Sequence, residues 1–307
     1  MTAPTAVLLM AYGTPRTRDE ILPYYTDIRR GNAPTPEQLA DLTARYDALG
    51  GTSPLAARTE AQRVGLQRAL DAVAPGQYEV VLGLKHAEPK IEAAVQQLAS
   101  RGITRVVGLV LAPHYSAYSV GQYHDRARAT AEPLGVTYTG IDSWATEPAF
   151  VQFVAASLRE RLAAMPANSK VVFTAHSLPQ RIVAAGDPYP DQLRATAEAV
   201  AAAAGLDRWT GWSIAWQSAG RTPEPWLGPD ILAVIDDLAA AENDAGATQG
   251  IVVSAVGFVA DHLEVLYDLD IEAAKRAATH GIQFARTACV NDDPTVMAAL
   301  AQRVLHA

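Results

Sequence analysis

The segment GFVADHLEVLYDLDIE places Glu264, Asp268 and Glu272 at i, i+4 and i+8. On a helix beginning near Asp261, the three carboxylates share one face. Like charges at that spacing cost a helix about a few tenths of a kcal/mol per pair, so the row needs a reason. A solvated charged face is the bland one. Against it, Phe258, Val259, Leu263, Val265, Leu266 and Ile271 are interleaved, which leaves little of the helix freely exposed. A half-buried carboxylate row is tolerated best with cations between its members. Such oxygen donors suit a hydrated divalent metal in transit better than a tight resident site.

His176, in TAHSLPQR, falls at the end of an expected strand, where ligands bind in open α/β sheets. A neutral imidazole there can accept a proton near pH 7 or ligate a transition metal. Arg29, Arg30 and Arg45 form a third set. Their planar forks pair bidentately with carboxylates, so a ligand bearing several carboxylates would use them, while at least one serves the surface. His86 and His114 each follow a strand and read as hydrogen-bonded loop residues, and His124 is a further candidate. His262, two positions before Glu264, points to another face, and His280 and His306 carry no pattern.

The elements that must position these groups alternate. Apolar runs read as strands at Ala6–Ala11, Tyr78–Leu84, Arg105–Leu111, Val136–Ile141, Val171–Ala175, Gly211–Trp216, Gly250–Val256 and Gln283–Ala285. Helical patterns lie between them, at Glu88–Ser100, Glu147–Ala163, Gln192–Ala204, Pro229–Ala241 and Pro294–Leu305. Continuous apolar strands alternating with helices imply α/β folding with parallel sheets covered on both faces.

A weak internal repeat runs through the chain. LLMAYGTP matches VVFTAHSLP, and each copy leads to two more strand–loop pairs: GLKHAEP and LAPHYS, then AWQSAG and SAVGFVADH. The expectation is two similar Rossmann-like lobes, residues 1–148 and 149–292, with the C-terminal helix 293–307 able to pack back on the first. A cleft would separate them, with Tyr12 and His176 at equivalent places. From Tyr12 to Leu84 is 72 positions and from His176 to Trp216 is 40, so the first half carries about 30 extra residues. That excursion, within residues 16–55, holds Arg29, Arg30, Arg45, Tyr46 and Ser53 and would cover a ligand.

Composition excludes several classes. The 307 residues are 49% hydrophobic and 19% charged, which fits a folded core and argues against a disordered or fibrous chain. A net charge of −8 argues against a nucleic-acid-coating protein. With Cys289 as the one cysteine, no intrachain disulfide, four-cysteine iron–sulfur cluster or multi-thiolate zinc site can form. The N-terminal segment lacks a basic leader region, and no run of about 20 apolar residues occurs, so a soluble cytoplasmic protein is expected. GxGxxG after a strand, GxxxxGK[ST], GxSxG and HExxH are all absent.

The stretches MAYGTP, YYTDIRRG, RYDALGGTSPL, LGLKHAEP, LAPHYSAYSVGQY, AHSLP, GDPYPDQL, WQSAGRTPEPWLGPD and VGFVADHLEVLYDLD occur in order from about residue 5 to the C-terminus. Together they resemble the ferrochelatases, and more narrowly the coproporphyrin III ferrochelatases of Gram-positive bacteria, actinobacteria included. The resemblance implies insertion of Fe2+ into a porphyrin with release of two pyrrole protons. It implies that His176 is the active-site metal ligand or proton acceptor and Glu264 the facing carboxylate. Asp268 and Glu272 would continue an acidic path along a π-bulged helix. It further implies that the Tyr12 phenol approaches the iron from the opposite face, and that Arg29, Arg45, Tyr46, Ser53 and Tyr123 hold the macrocycle and its propionates.

By the same resemblance, coproporphyrin III is the expected substrate, with protoporphyrin IX as the alternative. Fe2+ is a substrate, no cofactor is permanently bound, and some actinobacterial relatives' iron–sulfur cluster is ruled out by the single cysteine. A cytoplasmic monomer is expected, with no nucleic-acid partner and no membrane span; transient contact with neighbouring haem-pathway enzymes is the protein partnership suggested. Readings of other classes are a non-catalytic tetrapyrrole or haem carrier, a cobalt or nickel chelatase of a corrinoid precursor, and a secreted sugar- or amino-acid-binding protein.

Overall fold

A computed structural model describes residues 4–206, 211–220, 222–243 and 246–307. The first three residues of the N-terminal segment and Arg221 of the WQSAGRTPEPWLGPD stretch lie outside them. The chain divides into two compact units. One comprises residues 1–144, 260–263 and 291–307; the other comprises residues 145–259 and 264–290.

In the first unit, strand β1 (Thr5–Ala11) is followed by helices α1 (Ile21–Ile28), α2 (Pro36–Ala48) and α3 (Leu55–Val73). Then come β2 (Tyr78–Leu84), α4 (Ile91–Ser100), β3 (Arg105–Val110), α5 (Val120–Ala131) and β4 (Thr137–Ile141). The sheet is fully parallel, in the order β2-β1-β3-β4. Its central strand β1 is buried along its length after Thr5, which is why TAVLLMA reads as an unbroken apolar run. Leu8, Met10, Val106 and Val110 pack with Ile91, Val95 and Leu98 of α4. The extra residues after β1 are ordered as α1 and α2, and α2 opens with a capping box between Thr35 and Gln38.

The second unit carries α6 (Pro148–Ala163), β5 (Ser169–His176), α7 (Arg181–Ala184), α8 (Tyr189–Ala204) and β6 (Trp212–Gln217). It continues with α9 (Ile231–Ala240), a short pairing of β7 (Glu242–Asn243) with β8 (Gly246–Ala247), and β9 (Gly250–Ser254). A π-helix (Val265–Ala273), α10 (Ala274–Thr279) and β10 (Gln283–Arg286) complete it, and the final helix α11 (Pro294–Leu305) packs on α3 within the first unit. The second sheet is again parallel, ordered β10-β9-β5-β6.

Numbered within each four-stranded sheet, both run second strand, first, third, fourth. The repeat seen in the sequence is therefore a repeat of topology. It extends to detail: the Leu84 N–H bonds the carbonyl of Pro89, as the Trp216 N–H bonds that of Pro229. Strand ends differ from the expected bounds by one or two residues, most usefully at β5 and β6. There the ladder runs on to pair His176 with Gln217, so both residues are held by the sheet rather than by loops.

One glycine keeps the loop after β9 close to β5. Gly257 donates its N–H to Thr174 O at 3.0 Å, and a Cβ placed on it would lie 2.3 Å from Ala175 Cβ. Gly257→Ala should therefore cost roughly 1–3 kcal/mol through overpacking, seen as a lower urea midpoint at unchanged m-value. An unaltered midpoint would show that this approach is slack.

Candidate active site

The π-helix supplies the acidic row. Val265, Leu269 and Ala273 are buried and pack with Ile235, Ile251, Val253 and Ala277. Each sits one residue after a carboxylate, so burying the seam fixes the azimuth of Glu264, Asp268 and Glu272. Burying a Val or Leu side chain is worth about 1.5–3 kcal/mol, well above the few tenths lost per like-charged pair. The wider turn shows in the Ala274 N–H, which reaches the carbonyl of Leu269, five residues back. The sequence pattern alone implies an α-helix from about Asp261; the helix instead starts at Leu263 and is π from Val265.

His176 ends β5. Its Nδ1 hydrogen-bonds the carbonyl of Ser177, and a carbonyl only accepts, so Nδ1 carries the proton. In the neutral ring Nε2 then presents a lone pair, and it lies 3.7 Å from Glu264 Oε1. Both side chains remain about a third exposed, at 34% and 37%. The carbonyl of His176 itself takes the hydroxyl of Tyr189 at 3.0 Å. Burial pushes the Tyr189 phenol well above its usual range, with Glu264 nearby adding to the effect, so that hydroxyl stays a donor. Asp268 is 7% exposed and accepts a hydrogen bond from Ser218 Oγ, while Glu272 is half-buried. Among the described residues no three His, Cys, Asp or Glu side chains form a metal-holding group.

The first unit builds its own cluster at the end of β1. The pairing of β1 with β2 runs past the strands, with Lys85 N–H on Ala11 O and His86 N–H on Tyr12 O, both 2.9 Å. That lays Tyr12 beside His86, ring centroids 4.6 Å apart, with Tyr12 41% exposed. His86 Nδ1 lies 2.7 Å from Asp27 Oδ2, and Lys90 Nζ lies 2.8 Å from Asp27 Oδ1. Burial depresses His86 to about 4 despite the opposing bond to Asp27, so at neutral pH it is an uncharged imidazole whose Nδ1–H points to a carboxylate. Lys85 donates to Gln122 Oε1 at 2.7 Å, and its Nζ lies 5.1 Å from the Tyr123 ring centre.

The remaining residues singled out in the sequence have these places. Arg29 closes α1, donating to Asn32 O and lying over the Tyr25 ring. Arg30 is exposed, with φ +57°. Arg45 pairs with Asp41 on α2 at 3.6 Å. Tyr46 is buried, its hydroxyl 3.4 Å from Thr14 Oγ1. Ser53 is buried and accepts from the Leu55 N–H at the start of α3, and Tyr123 is buried on α5. His114 is fully buried, which depresses it to about 3. His124 is buried against the Tyr138 hydroxyl at 2.6 Å. Neither contributes a charge at neutral pH. His262 bonds Ala260 O and His280 bonds Asp236. A recess of about 420 Å3 in the first unit is lined by Gly13, Thr14, Leu55, Thr59 and Leu84 among others, and none of the expected porphyrin contacts lines it.

Sequence reading passed over Gln217, Ser218, Tyr189 and Lys85. All four lie inside quoted motifs, but their signal is a contact rather than a spacing. Lys85 yields a pH test. Burial, with Arg126 and Arg30 nearby, lowers it from 10.5 to about 8. Between those values the unfolded chain holds a proton that the folded chain has released, so stability rises with pH across the window. A 13C-methyl signal from reductively methylated Lys85 should titrate near 8, and Lys85→Met should flatten the rise; a midpoint above 10 would contradict the burial.

Comparison with known proteins bears on all of this. The family model described as Ferrochelatase matches residues 4–307. A protein of Geobacillus kaustophilus named "Coproporphyrin III ferrochelatase" is 46% identical over 306 residues, covering 97% of this chain and 94% of its own. One from Herpetosiphon aurantiacus named "Ferrochelatase" is 44% identical over 300 residues, covering 96% of each. Among solved structures, SirB from Bacillus subtilis with Fe3+ aligns at TM-score 0.58 and 15% identity, covering 99% of this chain and 95% of its own, a likeness of fold. Matched over nearly its whole length by model and relatives alike, the chain belongs to the ferrochelatase family.

Proposed function

We propose that the protein inserts Fe2+ into coproporphyrin III, giving the iron porphyrin of haem biosynthesis and two protons. The observation that carries this reading is the placing of His176, with Nδ1 on the Ser177 carbonyl and Nε2 3.7 Å from Glu264 Oε1. The substrate assignment is supported by the names of relatives at 44–46% identity.

The second unit handles protons and metal. His176 Nε2 takes a proton from a pyrrole N–H as Fe2+ forms bonds to the ring nitrogens. The imidazolium then faces a carboxylate, and the pair attracts where the neutral ring did not. Glu264 thus favours the state formed during insertion over the resting one. Glu264, half-buried Glu272 and the Ser218-held Asp268 offer oxygen ligands in steps of one helical turn, replacing water on the incoming cation. Iron is substrate in this scheme, and the protein carries no permanently bound cofactor.

The first unit binds the ring. Tyr12 and the fork of Arg29 offer accessible groups to the macrocycle and a propionate, and Arg45 and Lys85 add positive charge. Burial of Tyr46, Ser53 and Tyr123 supports a holding role for them, through Thr14, the start of α3 and Lys85 respectively. Remote carboxylate contacts of this kind can keep the ring bent, exposing pyrrole lone pairs. No helix among the described residues is long and apolar enough to cross a membrane, and a cytoplasmic monomer is part of the proposal.

Anaerobic Fe2+ insertion, with coproporphyrin III and protoporphyrin IX side by side, tests the reading. Turnover should favour the four-propionate ring, and the opposite preference would overturn the substrate. His176→Ala should abolish insertion while porphyrin uptake persists, and Glu264→Gln should depress kcat by about 10²-fold or more with little change in porphyrin Kd. Undiminished turnover in either variant would remove that residue from the mechanism. Tyr12→Met should shift the visible spectrum of bound product; an unchanged spectrum would argue against the phenol as axial ligand.

A further inference from the structure

Gln217 touches neither metal nor porphyrin in the scheme above, yet it joins the two elements that carry the reacting groups. It is the last residue of β6 and is 1% exposed. Its carbonyl accepts the Ser177 N–H at 2.8 Å, and Ser177 in turn takes the Nδ1–H of His176. Its side chain does the rest. Oε1 accepts from Thr174 Oγ1 at 2.9 Å, two residues before His176 on β5, and Nε2 donates to the Glu264 carbonyl at 3.3 Å. Thr174 is itself fully buried.

The direction of the relay is fixed by chemistry. A carbonyl cannot donate, so the Gln217 amide must present nitrogen to Glu264, and its oxygen must then face a donor. The Thr174 hydroxyl is that donor. One buried amide therefore ties the strand bearing His176 to Glu264, the residue that caps the π-helix, and sets the spacing of imidazole and carboxylate. The next residue continues the device: Ser218 adopts φ +59°, a left-handed conformation that a serine rarely takes, and aims its hydroxyl at Asp268.

We infer that Gln217, oriented by Thr174, is a positioning residue that holds the Glu264 end of the π-helix in register with His176. This rests on the metal-insertion reading above. Without the relay the main-chain bond to Ser177 survives, so His176 keeps its tautomer; what is released is the carboxylate. The consequence falls on the chemical step and on metal entry, and porphyrin binding is spared.

Two isosteric variants test it. Thr174→Val and Gln217→Met each remove hydrogen bonding at nearly constant volume. Each should lower kcat for Fe2+ insertion tenfold or more and raise the KM for Fe2+, with the porphyrin Kd within twofold of the parent. Thr174→Ser, which restores the hydroxyl, should return kcat to within about threefold. The double variant should lose no more than the worse single one, because the two act as one unit. Amide hydrogen exchange, read without any turnover, should quicken at least tenfold in residues 265–273 of Gln217→Met and stay unchanged in β1–β4. Should Gln217→Met fail to fold, Thr174→Val with its serine rescue decides alone. Parental kcat in Thr174→Val, or equal losses in its valine and serine forms, would overturn the inference. A wild-type chain that inserts no iron would instead overturn the underlying reading, and the exchange result would still report on the relay.

Discussion

A carbonyl oxygen that accepts a hydrogen bond from one imidazole orders this site. The bond from His176 Nδ1 to Ser177 O puts a proton on Nδ1 and turns Nε2, a bare acceptor in the neutral ring, toward Glu264. Reverse the tautomer, and Nε2 would be a donor to the carboxylate, satisfied and inert as a base. Much of the surrounding structure serves that choice. The β5–β6 ladder runs to its last pair to fix Ser177. Tyr189 occupies the His176 carbonyl. The buried seam of the π-helix turns Glu264 to the site.

The repeated strand order gives the candidate groups equivalent places in the two units. In two sheets of the same strand order, Tyr12 directly follows the first strand of one and His176 ends the first strand of the other, both at the carboxyl ends of parallel strands. The units differ in the charge placed there. The first sets Lys85 6.0 Å from the ring centre of the exposed Tyr12 and carries Arg29 at the end of α1 and Arg45 on α2, and the second carries carboxylates along a π-helix. Even so, His86 repeats one feature of His176, an imidazole whose Nδ1 is tied to an oxygen acceptor. Ferrochelatase chemistry needs both kinds of surface, one for an anionic ring and one for a cation that must shed water.

Much of the fold was legible in the sequence because both sheets are parallel and covered, so their strands are continuous apolar runs. The doubled topology was legible from the recurrence of AYGTP in AHSLP. Among the site residues, spacing singled out Glu264, Asp268 and Glu272. The π-turn was not legible from spacing, because carboxylates at i, i+4 and i+8 share a face on an ordinary α-helix as well; only the family resemblance suggested it. Histidine roles were harder. His114 and His176 both follow strands, and nothing local in LAPHYS or TAHSLP says that one is fully buried and the other half-exposed. Gln217 and Ser218 escaped notice because their partners lie 47 and 50 residues away. Contacts across strands of that separation leave no periodicity.

The histidine tautomer is directly measurable. Two-bond 1H–15N correlation spectra of the 15N-histidine-labelled, porphyrin-free protein at neutral pH report which ring nitrogen of each imidazole bears the proton, with His176→Ala assigning the signal. The account predicts a protonated Nδ1 and a lone pair at Nε2 for His176. A spectrum with the proton on Nε2, donated toward Glu264, would contradict it.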